Sequence, residues 1–132
     1  MKPTIYPSDG NHGKMLWIGS YSGLYLFNTE SEQYSLYRHQ PGKSESMNSK
    51  GLETIFEDRS GIIWIGTNRG LNKLDPGKSR FITFRSNPGS GNSLNDNMIQ
   101  ALCESNSDGG RILWIGTFTG GLNRLDRSTG VF

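Results

Sequence analysis

The sequence predicts an all-β fold made of three copies of one four-stranded antiparallel unit. Three observations predict it. First, one phrase recurs: "MLWIGSYSGLYLFN" at Met15–Asn28, "IIWIGTNRGLNKLD" at Ile62–Asp75 and "ILWIGTFTGGLNRLD" at Ile112–Asp126. Second, all three tryptophans stand at the same place in it, with Trp17 and Trp64 47 residues apart and Trp64 and Trp114 50 apart. A period of that length is one supersecondary unit. Third, short apolar runs alternate with Gly, Pro, Asn and Asp, and no run carries a 3.6-residue stripe. With 18 glycines and 33% hydrophobic residues, the composition suits a turn-rich β chain better than a helical one.

The register of the repeat is clean. At a spacing of 47, "YRHQPGKSESMNSKGLETIFE" (Tyr37–Glu57) lies over "FRSNPGSGNSLNDNMIQALCE" (Phe84–Glu104) without a gap. The third copy gains three residues in "CESNSDGGRILW", just before Trp114, and one glycine, Gly120 or Gly121, after it. "TIYPSDGNHGKMLW" (Thr4–Trp17) overlays "ALCESNSDGGRILW" (Ala101–Trp114). The expected units are residues 1–46, 47–93 and 94–132, the last lacking most of its fourth strand.

The middle unit shows the element order. "LETIFE" (Leu52–Glu57) is the first strand and "DRSG" its turn. "IIWIGT" (Ile62–Thr67) is the second, "NRG" the next turn, and "LNKLD" (Leu71–Asp75) the third. "PGKS" then leads to "RFITFR" (Arg80–Arg85), the fourth. Four antiparallel strands in 40–50 residues describe a blade of a β-propeller. A blade cannot bury both faces alone, so its apolar faces pack on neighbouring blades. The Trp-Ile-Gly triplets are the expected packing residues: Trp17, Ile18 and Gly19; Trp64, Ile65 and Gly66; Trp114, Ile115 and Gly116. Trp supplies area, and Gly admits a close neighbour.

Charge and cysteine content exclude several classes. Fourteen basic and 12 acidic side chains leave a net charge of +2, too small and too evenly spread for nucleic acid or an anionic membrane. The single cysteine, Cys103, excludes an intramolecular disulfide; its place in an apolar strand pattern predicts a buried, inert thiol. No apolar run approaches a membrane span. "MKPTIYPSDG" lacks the apolar centre of a secretory leader, so export of this chain by itself is not expected and its compartment is open.

The search for chemistry gives no catalytic residues, no metal site and no cofactor. His12 and His39, the two histidines, fall in a Gly-rich turn and a linker and read as solvent-facing. "GTNRG" and "GTFTGG" sit inside hairpins, not at the strand-to-helix junctions a phosphate needs. "NSLNDN" (Asn92–Asn97) and "SNSDGG" (Ser105–Gly110) lack the spacing and terminal Glu of a calcium loop and read as Asx turns. Asn28, Asp75 and Asp126 recur once per unit as turn caps.

"LWIGT..GGLNRLD...G.F" and "SLNDNMIQALCE" resemble the two-component regulator propeller repeat, over essentially the whole chain and in three copies. WD40 blades would carry a Trp-Asp dipeptide, which is absent. The resemblance implies a bacterial sensor. Proteins of that family carry propellers outside the cytoplasmic membrane that sense ligands, often oligosaccharides, and a histidine kinase or other output domain inside the cell. A chain of this kind would be periplasmic as part of such a sensor.

Two expectations follow. The turns between second and third strands vary within repeated flanks and share an end with the inter-blade linkers. Tyr21, Asn68, Arg69, Phe118 and Thr119 of the turns, with Arg38 and Arg85 of the linkers, are therefore the candidate ligand-binding residues, through stacking and hydrogen bonds. Three blades do not close a ring, and Lys2 and Pro3 replace strand residues of the repeat, so self-association is expected: a dimer of six blades or a trimer of nine. The expected function is non-catalytic ligand sensing. The alternatives are a structural or protein-interaction scaffold and, third, a fragment of a propeller polysaccharide lyase or glycosidase.

Overall fold

The structure, a computed structural model, describes residues 4–7, 14–78 and 80–132, with the backbone alone for 4–7. The expectations at Lys2, Pro3 and His12 lie outside the described residues. Eleven strands and no helix are present among those described. They form three antiparallel sheets, each a meander in chain order. Sheet 1 holds β1 (Thr4–Pro7), β2 (Met15–Ser20), β3 (Gly23–Asn28) and β4 (Tyr34–Tyr37). Sheet 2 holds β5 (Leu52–Glu57), β6 (Ile63–Thr67), β7 (Gly70–Asp75) and β8 (Arg80–Phe84). Sheet 3 has three strands, β9 (Ile99–Glu104), β10 (Ile112–Thr117) and β11 (Leu122–Asp126). The expected all-β architecture with a shortened last sheet is what forms. The first strands β1, β5 and β9 adjoin one another, and the sheets radiate from that line.

Local chemistry sets the strand limits. Ile62 falls outside β6 because it closes the preceding turn: its N–H donates to Asp58 Oδ1 at 3.1 Å and its carbonyl accepts from Asp58 N at 2.9 Å. β3 and β7 open on Gly23 and Gly70 at φ of +137° and +123°, a region that disfavours other residues. At Gly70 a Cβ would stand 2.5 Å from the Phe84 carbonyl oxygen, so the hairpin also needs the space.

Each Trp-Ile-Gly triplet alternates across its sheet, with Trp and Gly on one face and Ile on the other. The Trp17 face of sheet 1 meets the Ile face of sheet 2. Trp17, Leu24, Leu52, Ile55, Ile63, Ile65 and Phe81 form one buried cluster there. The Trp64 face of sheet 2 meets the Ile face of sheet 3, where Trp64, Leu71, Leu94, Ile99, Leu113 and Ile115 form the second. Trp17 and Trp64 are each 2% exposed. At about 25 cal/mol per Å² over roughly 150–250 Å², each contributes some 4–6 kcal/mol of transfer free energy. Gly19 and Gly66 let the next sheet approach: a Cβ on Gly66 would stand 2.6 Å from Ile99 Cγ2.

Expectations at four residues are corrected by the outer faces. Trp114 and Gly116 are half-buried, because among the described residues no sheet lies over the Trp face of sheet 3. Ile18 is half-buried for the same reason on the far side of sheet 1. Cys103, paired with Trp114 on that open face, is exposed and not the buried thiol that the strand pattern implies. Ile115, facing sheet 2, is fully buried.

Candidate functional site

One end of the molecule gathers the β2–β3, β6–β7 and β10–β11 turns with the two linkers, residues 38–51 and 85–98. An asparagine in each linker locks it to the sheet it introduces. Asn48 donates through Nδ2 to the Arg69 carbonyl at 2.7 Å. Its Oδ1 accepts from Asn72 Nδ2 at 2.7 Å and Thr67 Oγ1 at 3.1 Å, and its N–H donates to Asn72 Oδ1 at 3.2 Å. Asn95 repeats the pattern with Gly120, Asn123 and Thr117. Asn48 and Asn95 recur in the sequence repeat, but their role shows only with their partners: Asn72 and Asn123 follow Gly-Leu in the second and third phrases, whereas Tyr25 follows it in the first.

A second recurrent device shapes the linkers. Ser46 Oγ accepts from Gln40 N at 3.0 Å, and Ser93 Oγ accepts from Asn87 N at 2.9 Å. Each hydroxyl also donates to the carbonyl of the same partner residue, which closes a Pro-Gly loop into a compact bulge. His39 is corrected here. It is half-buried, with Nδ1 2.5 Å from the Met47 carbonyl oxygen, and so ties the two ends of its loop instead of facing solvent.

The seven candidate residues share this end but not one pocket. Tyr21 and Phe118 stand on their turn tips, 64% and 62% exposed. Asn68 and Thr119 hold the turns to the linkers. Asn68 Oδ1 accepts from Ser49 Oγ at 2.7 Å. Thr119 donates from N and Oγ1 to Asp96 Oδ2 at 3.0 and 2.9 Å. The Thr119 amide, then its hydroxyl, holds the Asp96 carboxyl below its ordinary value of 3.8. Arg69 is exposed, and its backbone rather than its guanidinium is engaged by Asn48. Arg38 lines a cleft of about 270 Å³ with Tyr37, Glu45 and Phe81. Arg85 lines a neighbouring one of about 400 Å³ with His39, Asn48 and Thr83. Gln40, Lys43 and Ser46 border both clefts, so the bulge divides them.

The opposite end carries an ionic tie. Asp58, 3% exposed, accepts from Trp64 Nε1 at 2.9 Å and from Arg127 Nη1. Arg127 Nη2 reaches Glu104 Oε2 at 2.7 Å, and Arg59 Nε reaches Glu104 Oε1 at 2.9 Å. Both carboxylates are saturated by cations and N–H donors, so this cluster binds sheet 2 to sheet 3 and holds no free acid or base. The calcium-like segments serve their own turns. Asp108 Oδ1 accepts from Gly110 N and Arg111 N, and Asp96 Oδ1 from Met98 N. Asn28, Asp75 and Asp126 cap their turns through Glu30 N, Gly77 N and Ser128 N. Among the described residues, no three His, Cys, Asp or Glu side chains converge as metal ligands. No helix there is long and apolar enough to cross a membrane.

Residues 46–69 match the family described as two component regulator propeller. No curated protein matches the chain. Solved structures do. An extracellular domain described as that of the hybrid two component system BT3049 from B. thetaiotaomicron superposes with a TM-score of 0.82 at 25% identity. The match covers 98% of this chain and 17% of that one. The extracellular domain described for BT4673 of the same organism gives a TM-score of 0.75 at 23% identity, over 96% of this chain and 16% of that one. This chain therefore spans about a sixth of the length of the solved structures it matches.

Proposed function

We propose that the chain is a ligand-sensing propeller segment, because it carries a two-component regulator propeller repeat and shares the fold of the extracellular domains of two component systems. The reading places its ligand at the linker end and its working compartment outside the cytoplasm. The ligand class is oligosaccharide. One observation carries this. Tyr21 and Phe118 present exposed aromatic rings at the same end as the Arg38 and Arg85 clefts, and the Phe118 turn is clamped by Asn95. A sugar ring offers one apolar face for stacking and a rim of hydroxyls for Arg and amide donors. The end has donors and stacking surfaces, which suits the binding of a sugar.

The test is thermal unfolding against neutral, uronate-containing and sulfated oligosaccharides. The expected result is a saturable rise in Tm with one class, lost in Arg38→Ala/Arg85→Ala and in Phe118→Ala. A ligand at a hundred times its Kd stabilises by about 2.7 kcal/mol, well within reach of the measurement. No shift with any class overturns the sugar reading, and release of shorter sugars would replace sensing by catalysis. A scaffold reading is favoured by a different observation, the two uncovered sheet faces.

A further inference from the structure

Among the described residues two sheet faces have no neighbouring sheet, and the middle of the molecule shows what such faces pack against. Leu24 and Leu71, at equivalent positions of sheets 1 and 2, are fully buried, whereas Leu122 in sheet 3 is 65% exposed. A Cβ on Gly19 would meet Leu52 and Ile55 of the next sheet, and one on Gly66 would meet Ile99. On Gly116 it would meet only Ala101 of its own sheet. The converse holds on the far side of sheet 1. Phe81, six residues after Asp75, is 5% exposed and edge-on to Tyr37 of the preceding sheet at 5.9 Å. Tyr34, six residues after Asn28, is 64% exposed.

We propose that the Trp114 face of one copy packs head to tail on the Ile18 face of a second copy. The chain makes this contact twice within itself, Trp17 face on sheet 2 and Trp64 face on sheet 3, and displays both halves of it once more on its outside. The groove side presents Trp114, Gly116 and Leu122; the ridge side presents Leu16, Ile18, Phe27 and Tyr34. Pairing two Trp114 faces would set Trp against Trp with no Ile ridge to fill the glycine groove. The contact is heterologous, so its repetition closes a ring when the rotation allows. Two copies give six sheets, inside the range of closed propellers.

Sedimentation equilibrium of the whole chain over a micromolar series tests this. The expected mass is twice 14.7 kDa. Leu122→Arg and Tyr34→Arg each remove one face at an exposed position, and each alone loses the doubled mass. Mixed one to one they regain it, because each keeps the face that the other lacks. A threefold wild-type mass, with the variant mixture stopping at twice 14.7 kDa because it keeps a single intact contact, supports the same contact closing at nine sheets. A wild-type monomer throughout overturns the proposal, and so does a Tyr34→Arg homodimer, which would pair Trp114 faces. Should either variant fail to fold, the exposed Cys103 thiol of the wild type gives a second readout. Its reaction with a thiol reagent slows as protein concentration rises if the Trp114 face is being covered, and constant reactivity overturns the contact.

Discussion

At the scale of single residues, Asn48 and Asn95 connect sequence to the working end. Each satisfies buried polar atoms of the sheet that follows, so truncation leaves donors and acceptors without partners. Asn48→Ala is expected to cost about 1–3 kcal/mol in urea unfolding. Asp96 makes a pH-dependent contribution. Its folded pKa lies below the ordinary 3.8, so its stabilisation is complete above that value and is lost as pH falls through the folded pKa. The Tm difference between wild type and Asp96→Asn is therefore present at pH 7 and shrinks towards zero in strong acid. Residue chemistry was only half legible. Asn68 and Thr119 have the hydrogen-bonding groups a ligand would want, but those groups are engaged by Ser49 and Asp96. Which partner an amide or hydroxyl finds depends on a linker some 20 positions away, and a local pattern does not carry that.

At the scale of elements, the strands could be read because alternation and Gly-Asn-Asp turns are local signals. "LETIFE" is a strand from its first residue to its last. Register was not legible: both β5–β6 and β9–β10 shift by a residue near the linker end, between Leu52 and Thr54 and between Gly116 and Thr117. Nor was the tie between sheets 2 and 3, whose partners Asp58 and Arg127 lie in unremarkable turns and meet only after folding. Removing Arg127 takes the cation from Asp58, 3% exposed, and one of the two from Glu104, which keeps Arg59, so Arg127→Met is expected to cost roughly 3 kcal/mol. The paired glycines give a sharper comparison. Gly66→Ala forces a methyl to within 2.6 Å of Ile99 and Thr54 and should cost about 1–3 kcal/mol. Gly116→Ala finds its nearest neighbour at 3.4 Å and should leave the folded monomer's stability unchanged.

At the scale of the whole molecule, the repeat made the three-sheet architecture legible, and uncovered faces account for its errors. Trp114, Ile18 and Cys103 were assigned the surroundings of an interior sheet, which only sheet 2 possesses. That asymmetry has a thermodynamic consequence. A stack whose units touch only their neighbours is stable as a sum of unit and interface terms. Sheet 2 holds two interfaces and each outer sheet holds one, so the outer sheets open first and the middle one requires global unfolding. Amide exchange should therefore be slowest in Ile63–Thr67 and faster in Met15–Ser20 and Ile112–Thr117, a gradient readable by mass spectrometry on peptic fragments. In a head-to-tail ring every sheet has two neighbours and the gradient flattens with concentration. The fully buried β6 is thus an internal reference for the protection that the outer sheets reach once the ring is closed.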